Sequence, residues 1–264
     1  NKKLNFEDFN EDGIADFINY MGKKGMKNST INKQLGFLRW YLRWCYEKDY
    51  HTNHTFEHFK PKLKSASKRV IFLTQEELEK VENLKIPEKY TSLEAVRDVF
   101  LFCCYTGLRY SDAYNLTWED IHNRKIEIVT VKTADRITIE INSKSQAILD
   151  KYSDIHFPDK KVLPIISNQK MNKRLHTLCK LAGIDEPIKS THYEGNKRID
   201  EVKPKYELVG THCGRRTFIC TALAKGIPPS VVMKWTGHSD YKAMKPYIDI
   251  ADEVKSSYMK QFDE

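Results

Sequence analysis

Apolar residues recur along the first fifty positions at the spacing of an α-helix. In GIADFINYMGKKG, Ile14, Phe17, Ile18 and Met21 fall on one stripe of a helix that Gly22 to Gly25 should end. The next segment, NSTINKQLGFLRWYLRWCYEKDY, places Ile31, Leu35, Leu38, Leu42 and Cys45 on one face, with Asn28 to Thr30 offering N-caps. Trp40 and Trp44 alternate with Arg39 and Arg43 along it. Aromatic residues at helical spacing are expected in a core, with stacking on nucleic acid as the alternative.

Periodicity stops at FKPKLKSASKRV (59–70) and restarts beyond it. Thr74-Gln75-Glu76-Glu77 has the form of a capping box opening the helix TQEELEKVENL. SLEAVRDVFLFCCYTG reads as a largely buried helix, with Leu93, Val96, Phe100, Cys103 and Cys104 sharing a face and Gly107 as its C-cap. Leu108 to Asp112 then lie at a helix junction, and SDAYNLTW starts a short helix capped by Ser111 or Asp112. In RKIEIVTVKTADRITIEI the period changes to two: Ile126 and Ile128, then Ile137, Ile139 and Ile141, alternate with polar residues around a turn, the mark of an antiparallel hairpin. Helical patterns return at SKSQAILDKYSD and NQKMNKRLHTLCKLAG. The polar stretch 189–207 predicts an exposed hairpin or long loop. CGRRTFICTALAKG, PSVVMKWTG and the tail DIADEVKSSYMKQF complete a helical final third. The expected fold is mainly α with a small antiparallel sheet (α+β), without internal repeats. Residues 1–62 form a helical domain, 63–72 a basic linker and 73–264 a second domain with a tail from about 250.

Composition narrows the class. The 264 residues are 40% hydrophobic with a mean hydropathy of −0.61. No apolar run approaches the roughly 18 residues of a membrane span, and the first residues lack a signal peptide's apolar segment, so a cytoplasmic protein is expected. Cys45, Cys103, Cys104, Cys179, Cys213 and Cys220 contain no CxxC pair, so reduced and mostly buried thiols are expected. The net charge of +8 suits a polyanionic partner. Residues 1–70 hold 14 Lys and Arg against 8 Asp and Glu, which is +6 of that total. Lys60, Lys62, Lys64, Lys68 and Arg69 are five bases without an acid among them; such a run is either a solvated linker or a track for a phosphate backbone.

No Gly-rich phosphate loop, HExxH or paired Cys and His spacing of a zinc site occurs, so no metal or cofactor is expected. Three polar elements stand out: TGLRYSD (106–112), THCGRR (211–216) and TGHSDYKAMKPY (236–247). Singly, each has an ordinary explanation. Arg109 could pair with Asp112 at a helix start, His212 could cap a helix, and His238 could follow a C-cap glycine. Their order is more informative. TGLR-x-S-[DE], a lysine in a hairpin, HxxRRT, and GH followed nine residues later by tyrosine together resemble the tyrosine recombinase (phage integrase) family, as found in integrases of bacterial mobile elements. The resemblance runs from the helical N-terminal part through Tyr247.

That resemblance implies a DNA-associated bacterial enzyme that cleaves and rejoins strands through a covalent 3'-phosphotyrosyl link, without metal or ATP. It implies catalytic roles for Arg109, Lys132, His212, Arg215, His238 and Tyr247, the last as nucleophile. Lys125 and Lys144 are alternatives to Lys132. Asp112 corresponds to the acidic residue that holds the first arginine, and Arg216 is expected to be structural or a backbone contact. The residue types suit the reaction. Two guanidiniums match non-bridging phosphate oxygens, a histidine accepts the phenol's proton, and a lysine protonates the departing 5'-oxygen. The implied partners are double-stranded DNA, held in a clamp of the two domains, and sister protomers in a tetramer on DNA. The implied free form is a monomer, with accessory DNA-bending proteins and a tail beyond Tyr247 that docks on a neighbour. An arm-binding domain ahead of Asn1 is a further expectation. Two readings stay open beside it: type IB topoisomerase-like relaxation, and a non-catalytic DNA-binding or architectural factor.

Overall fold

The computed structural model describes residues 4–67 and 69–259, with 251–259 described for their backbone alone. The chain divides into two units, residues 1–69 with 189–202, and residues 70–188 with 203–264. The 189–202 segment therefore groups with the N-terminal helices rather than with the remainder of the expected second domain.

In the first unit, α1 (Glu11–Lys23), α2 (Asn28–Glu47) and the short α3 (Thr55–His58) enclose Ile14, Met21, Ile31, Leu35, Leu42 and Phe56, with Phe59 and Leu63 packed on them. Asn10 caps α1 by accepting from the Gly13 amide at 3.0 Å. Two expectations change in α2. Its N-cap is Lys27, and Asn28 turns inward instead of capping. Trp40 and Trp44 lie on the outer surface, 69% and 41% exposed. The inner stripe is already filled by residues 31, 35, 38, 42 and 45, and positions 40 and 44 fall about half a turn away from it. Arg39 donates to the Phe59 carbonyl at 2.6 Å, and Arg43 pairs with Glu57 at 3.0 Å.

The 189–202 segment is the body of a hairpin, β4 (Pro187–Glu194) and β5 (Lys197–Pro204). Across it Asp200 accepts from Thr191 at 2.7 Å, Lys189 at 3.0 Å and Arg198 at 3.1 Å. Those donors, Thr191 foremost, hold its carboxyl well below the usual carboxylate range. Buried Asn28 grips the turn of this hairpin: it donates to the Gly195 carbonyl at 2.8 Å, accepts from the Gly195 amide at 2.8 Å, and donates to the Lys64 carbonyl at 2.9 Å.

The second unit starts with α4 (Gln75–Glu82). The expected capping box is present: Glu77 N donates to Thr74 Oγ1 at 3.3 Å, and Thr74 N to Glu77 Oε2 at 2.8 Å. Glu77 also pairs with buried Lys205 at 2.6 Å. Apolar almost all round, α5 (Ser92–Thr106) is the central post, as its sequence requires, and packs against α7 (Ser143–Tyr152), α8 (Asn168–Leu181) and α9 (Thr211–Ala224). Between α5 and α7 come α6 (Tyr110–Asn115) and a three-stranded antiparallel sheet, β1 (Ile121–His122), β2 (Lys125–Val129) and β3 (Arg136–Glu140). Its register pairs Ile126 with Ile139 and Ile128 with Ile137, so the alternating isoleucines form one face. After α9 come α10 (Pro229–Thr236) and α11 (Tyr241–Met259); α11 packs on α9 and α10 on β3.

All six cysteines are free and buried. Burial pushes the Cys103, Cys213 and Cys220 thiols up to about 12, which leaves them uncharged and unreactive at neutral pH. Among the described residues no helix is long and apolar enough to cross a membrane.

Candidate active site

Five segments of the second unit meet at the N-terminal end of α9. Gly107 ends α5 in the left-handed conformation, φ 72°, and the chain turns at once into α6 with Arg109 as its N-cap residue. The expected caps, Ser111 and Asp112, lie inside the helix instead. Arg215 is only 1% exposed on α9. It donates from Nη1 to the Gly107 carbonyl at 2.9 Å and from Nη2 to the Thr236 carbonyl. Both acceptors are main-chain groups left free where α5 and α10 stop, so the two helix ends together cradle one guanidinium. Gly237 ends α10 in the left-handed region, φ 60°, and presents His238 with its ring nitrogens 3.4 and 3.5 Å from Arg215 Nη2.

Lys132 is exposed in the turn between β2 and β3. Thr130 ties that turn, contacting Thr133 Oγ1 at 2.9 Å and accepting from the Asp135 amide at 3.2 Å. Buried Asp112 reaches the same turn: its Oδ1 accepts from the Val131 amide at 2.9 Å, while Oδ2 stands 3.9 Å from Arg109 Nη1. One carboxylate thus touches both the arginine and the peptide beside the lysine. Lys125 lies opposite Glu140 in the strand register, and Lys144 is bonded to Glu82 at 2.7 Å, so the second of the two alternative lysines is engaged elsewhere.

Four cations, Arg216, Arg215, Arg109 and Lys132, bear on His212. Partial desolvation and the charges of Arg216, Arg215, Arg109 and Lys132 push His212 down to about 4, although the residue keeps part of its surface open. Desolvation, with Arg215, Arg109 and His212, pushes His238 down to about 4 as well. Arg215 itself is lowered to about 10 by burial and by Arg109, and it still carries its charge at neutral pH. Tyr247 lies on α11, packed against the cluster of Ile219, Val232 and Met244. It is near enough to Arg215 for a phenolate there to stabilise the guanidinium. Arg109 Nη1, Arg215 Nε and Arg216 Nε are buried and have no hydrogen-bond partner among the described residues. A buried guanidinium N–H left unpaired is costly.

The structure therefore brings Arg109, Lys132, His212, Arg215, His238 and Tyr247 into one electrostatic neighbourhood, with Asp112 behind them. Arg216, expected to be structural or a backbone contact, is the charge that weighs most on His212. Thr236 was not singled out by the sequence, because a threonine in a helix carries no signal until its acceptor and its histidine are placed. Lys60, Lys62, Lys64 and Arg69 are exposed on the first unit, and Lys68 lies outside the described residues. Among the described residues no three His, Cys, Asp or Glu side chains are grouped to hold a metal ion.

Residues 71–253 match the model of the phage integrase family, and residues 1–63 match that of the phage integrase SAM-like domain. No curated protein sequence matches the chain. Among solved structures the chain resembles the Tn1549 transposon integrase in complex with a circular intermediate DNA, at 17% identity and a TM-score of 0.70, over 90% of this chain and 81% of that one. A lambda integrase dimer bound to a COC' core site gives 18% identity and a TM-score of 0.71, over 95% and 83% of the two chains. A lambda integrase tetramer bound to a Holliday junction gives 17% and 0.69, over 95% and 68%. At such identities the likeness is one of fold.

Proposed function

The chain belongs to the phage integrase family of tyrosine recombinases, and from that premise we propose that its second unit transfers DNA strands through Tyr247. The observation that carries this reading is the gathering of Arg109, Lys132, Arg215 and Arg216 around His212, where Arg109, Arg215 and Arg216 each keep one buried N–H with no hydrogen-bond partner among the described residues. A phosphodiester supplies the missing acceptors.

Tyr247 Oη attacks the scissile phosphorus and a P–O bond forms, while the bond from phosphorus to the 5'-oxygen breaks. The phenolic proton passes to His212, which is neutral at pH 7 because its neighbours depress it to about 4 and so has a lone pair to offer. Lys132, exposed on its turn, protonates the departing 5'-oxygen. Arg109 and Arg215 hold the non-bridging oxygens, and the charge that builds on those oxygens relieves the repulsion between the two cations. His238 lines the same centre. The 3'-phosphotyrosyl product keeps the bond energy, so a 5'-hydroxyl from a second strand reverses the step with no other energy source. Asp112 positions Arg109 and the turn of Lys132 together.

The DNA is duplex, and exposed Lys60, Lys62, Lys64 and Arg69, with Lys68, add phosphate contacts from the first unit. Paired exchange requires several protomers on one DNA, and lambda integrase assembles on DNA as a dimer and as a tetramer.

The test is a duplex nicked beside the cleavage position, which lets the short 5'-hydroxyl fragment diffuse away and traps the adduct. Wild type should become covalently attached and Tyr247→Phe should not. Attachment by the phenylalanine variant, or by neither protein, would overturn the assignment. Strand exchange between paired sites, as against relaxation of a supercoiled plasmid, then separates a recombinase from a topoisomerase.

A further inference from the structure

The geometry points to Thr236 as the positioning residue that fixes the tautomer of His238, holding its single neutral-state proton on Nδ1 and leaving Nε2 bare. Its relevance to strand transfer rests on the proposed function of the site. Thr236 is fully buried at the last turn of α10, two residues before the histidine. Its Oγ1 lies 2.6 Å from the Val232 carbonyl and 2.8 Å from His238 Nδ1.

A threonine hydroxyl has one proton. The Val232 carbonyl can only accept, so at 2.6 Å the hydroxyl must be the donor there, and that proton is used. Toward His238 the oxygen then has only lone pairs to offer, and a contact of 2.8 Å is a hydrogen bond only if Nδ1 carries hydrogen. Arg215 Nη2 does not choose between the ring nitrogens, standing 3.5 Å from one and 3.4 Å from the other. The threonine does. Because the same residue's carbonyl accepts from Arg215 Nη2, Thr236 sets the arginine with its main chain and the histidine with its side chain.

The consequence concerns what His238 can do. With the proton on Nδ1, neutral Nε2 is an acceptor, and it can give a hydrogen bond to a phosphate oxygen only as imidazolium. The groups bearing on that protonation are Arg215 and His212 from α9 and Arg109 from the start of α6. Each disfavours it while the site is empty of anion, and a phosphate would reverse the balance.

The experiment is nitrogen-15 NMR of the full chain labelled at histidine, at pH 7.5 without DNA, with the His238 ring identified by its loss in His238→Gln. The wild type should show Nδ1 protonated and Nε2 bare by about tenfold, the preference one good hydrogen bond supplies. Thr236→Val, which keeps the shape and removes the acceptor, should abolish the preference, and Thr236→Ser should restore it. A proton on Nε2 in the wild type overturns the proposal without need of any variant. So does a valine variant with an unchanged ring. The tautomer is read on the free protein, so it stands or falls apart from strand cleavage, whose failure counts against the reading of Tyr247 instead.

Discussion

His212 and His238 are pushed down to about 4 by desolvation first and by the cations around them second, and this has a thermodynamic sign. In the unfolded chain each ring returns to its ordinary value of 6.5. As pH falls from about 6.5 toward 4, the unfolded state takes up protons that the folded state refuses, so stability is lost across that window and is complete above it. The urea midpoint of the wild type should therefore fall between pH 7 and pH 5, and that of His212→Gln/His238→Gln should fall less. Equal declines would show that the two rings are not held down. The residue types were readable in order along the chain. Arg216 reads as structural or a backbone contact, although its spacing of four from His212 on α9 puts the two on one helix face.

At the scale of elements, the joint between α5 and α6 matters most. Gly107 has φ 72°, and a Cβ there would stand 2.5 Å from Cδ1 of Phe218 on α9. Gly107→Ala should cost about 2 kcal/mol or more, as strain in the left-handed region and a displaced aromatic ring combine. Urea denaturation measures it, and a loss below about 0.5 kcal/mol would contradict the joint as drawn. Since the carbonyl of Gly107 is also an acceptor for Arg215, the same variant should slow adduct formation. The glycine was legible as a C-cap and the isoleucine alternation as a hairpin, because both are local backbone requirements. The outward tryptophans of α2 follow from the angular position of residues 40 and 44, once the inner stripe is recognised as complete.

Over the whole molecule, the hairpin of β4 and β5 is the segment whose place is set furthest from its own sequence. Asn28, itself buried, closes three part-buried hydrogen bonds around it and the Lys64 carbonyl. Asn28→Ala should release about 2 to 3 kcal/mol of local stability, at about 1 kcal/mol for each hydrogen bond removed. Amide hydrogen exchange should then speed up in peptides covering residues 189–202, and unchanged protection there would show that the clasp carries little. For the basic run, Lys60→Gln/Lys62→Gln/Lys64→Gln should reduce the slope of log binding constant against log salt by up to about 3, one counterion for each phosphate no longer neutralised. Filter binding to duplex DNA between low and physiological salt reads that slope, and an unchanged one would place these lysines off the phosphates.

The sequence by itself determined the periodic elements, the mainly helical class with its small sheet, and the ordered set of Arg109, Lys132, His212, Arg215, His238 and Tyr247. These depend on neighbours within a few residues, or on residue type at a motif position. Only the tertiary structure decided that Asn28 is a clasp rather than a cap, that Asp112 serves both Arg109 and the turn of Lys132, and that Thr236 governs His238. Each of those is a hydrogen bond or a charge acting across space. Its energy depends on a distance of a few ångströms between groups that the chain order leaves far apart, or on an orientation that spacing alone leaves free.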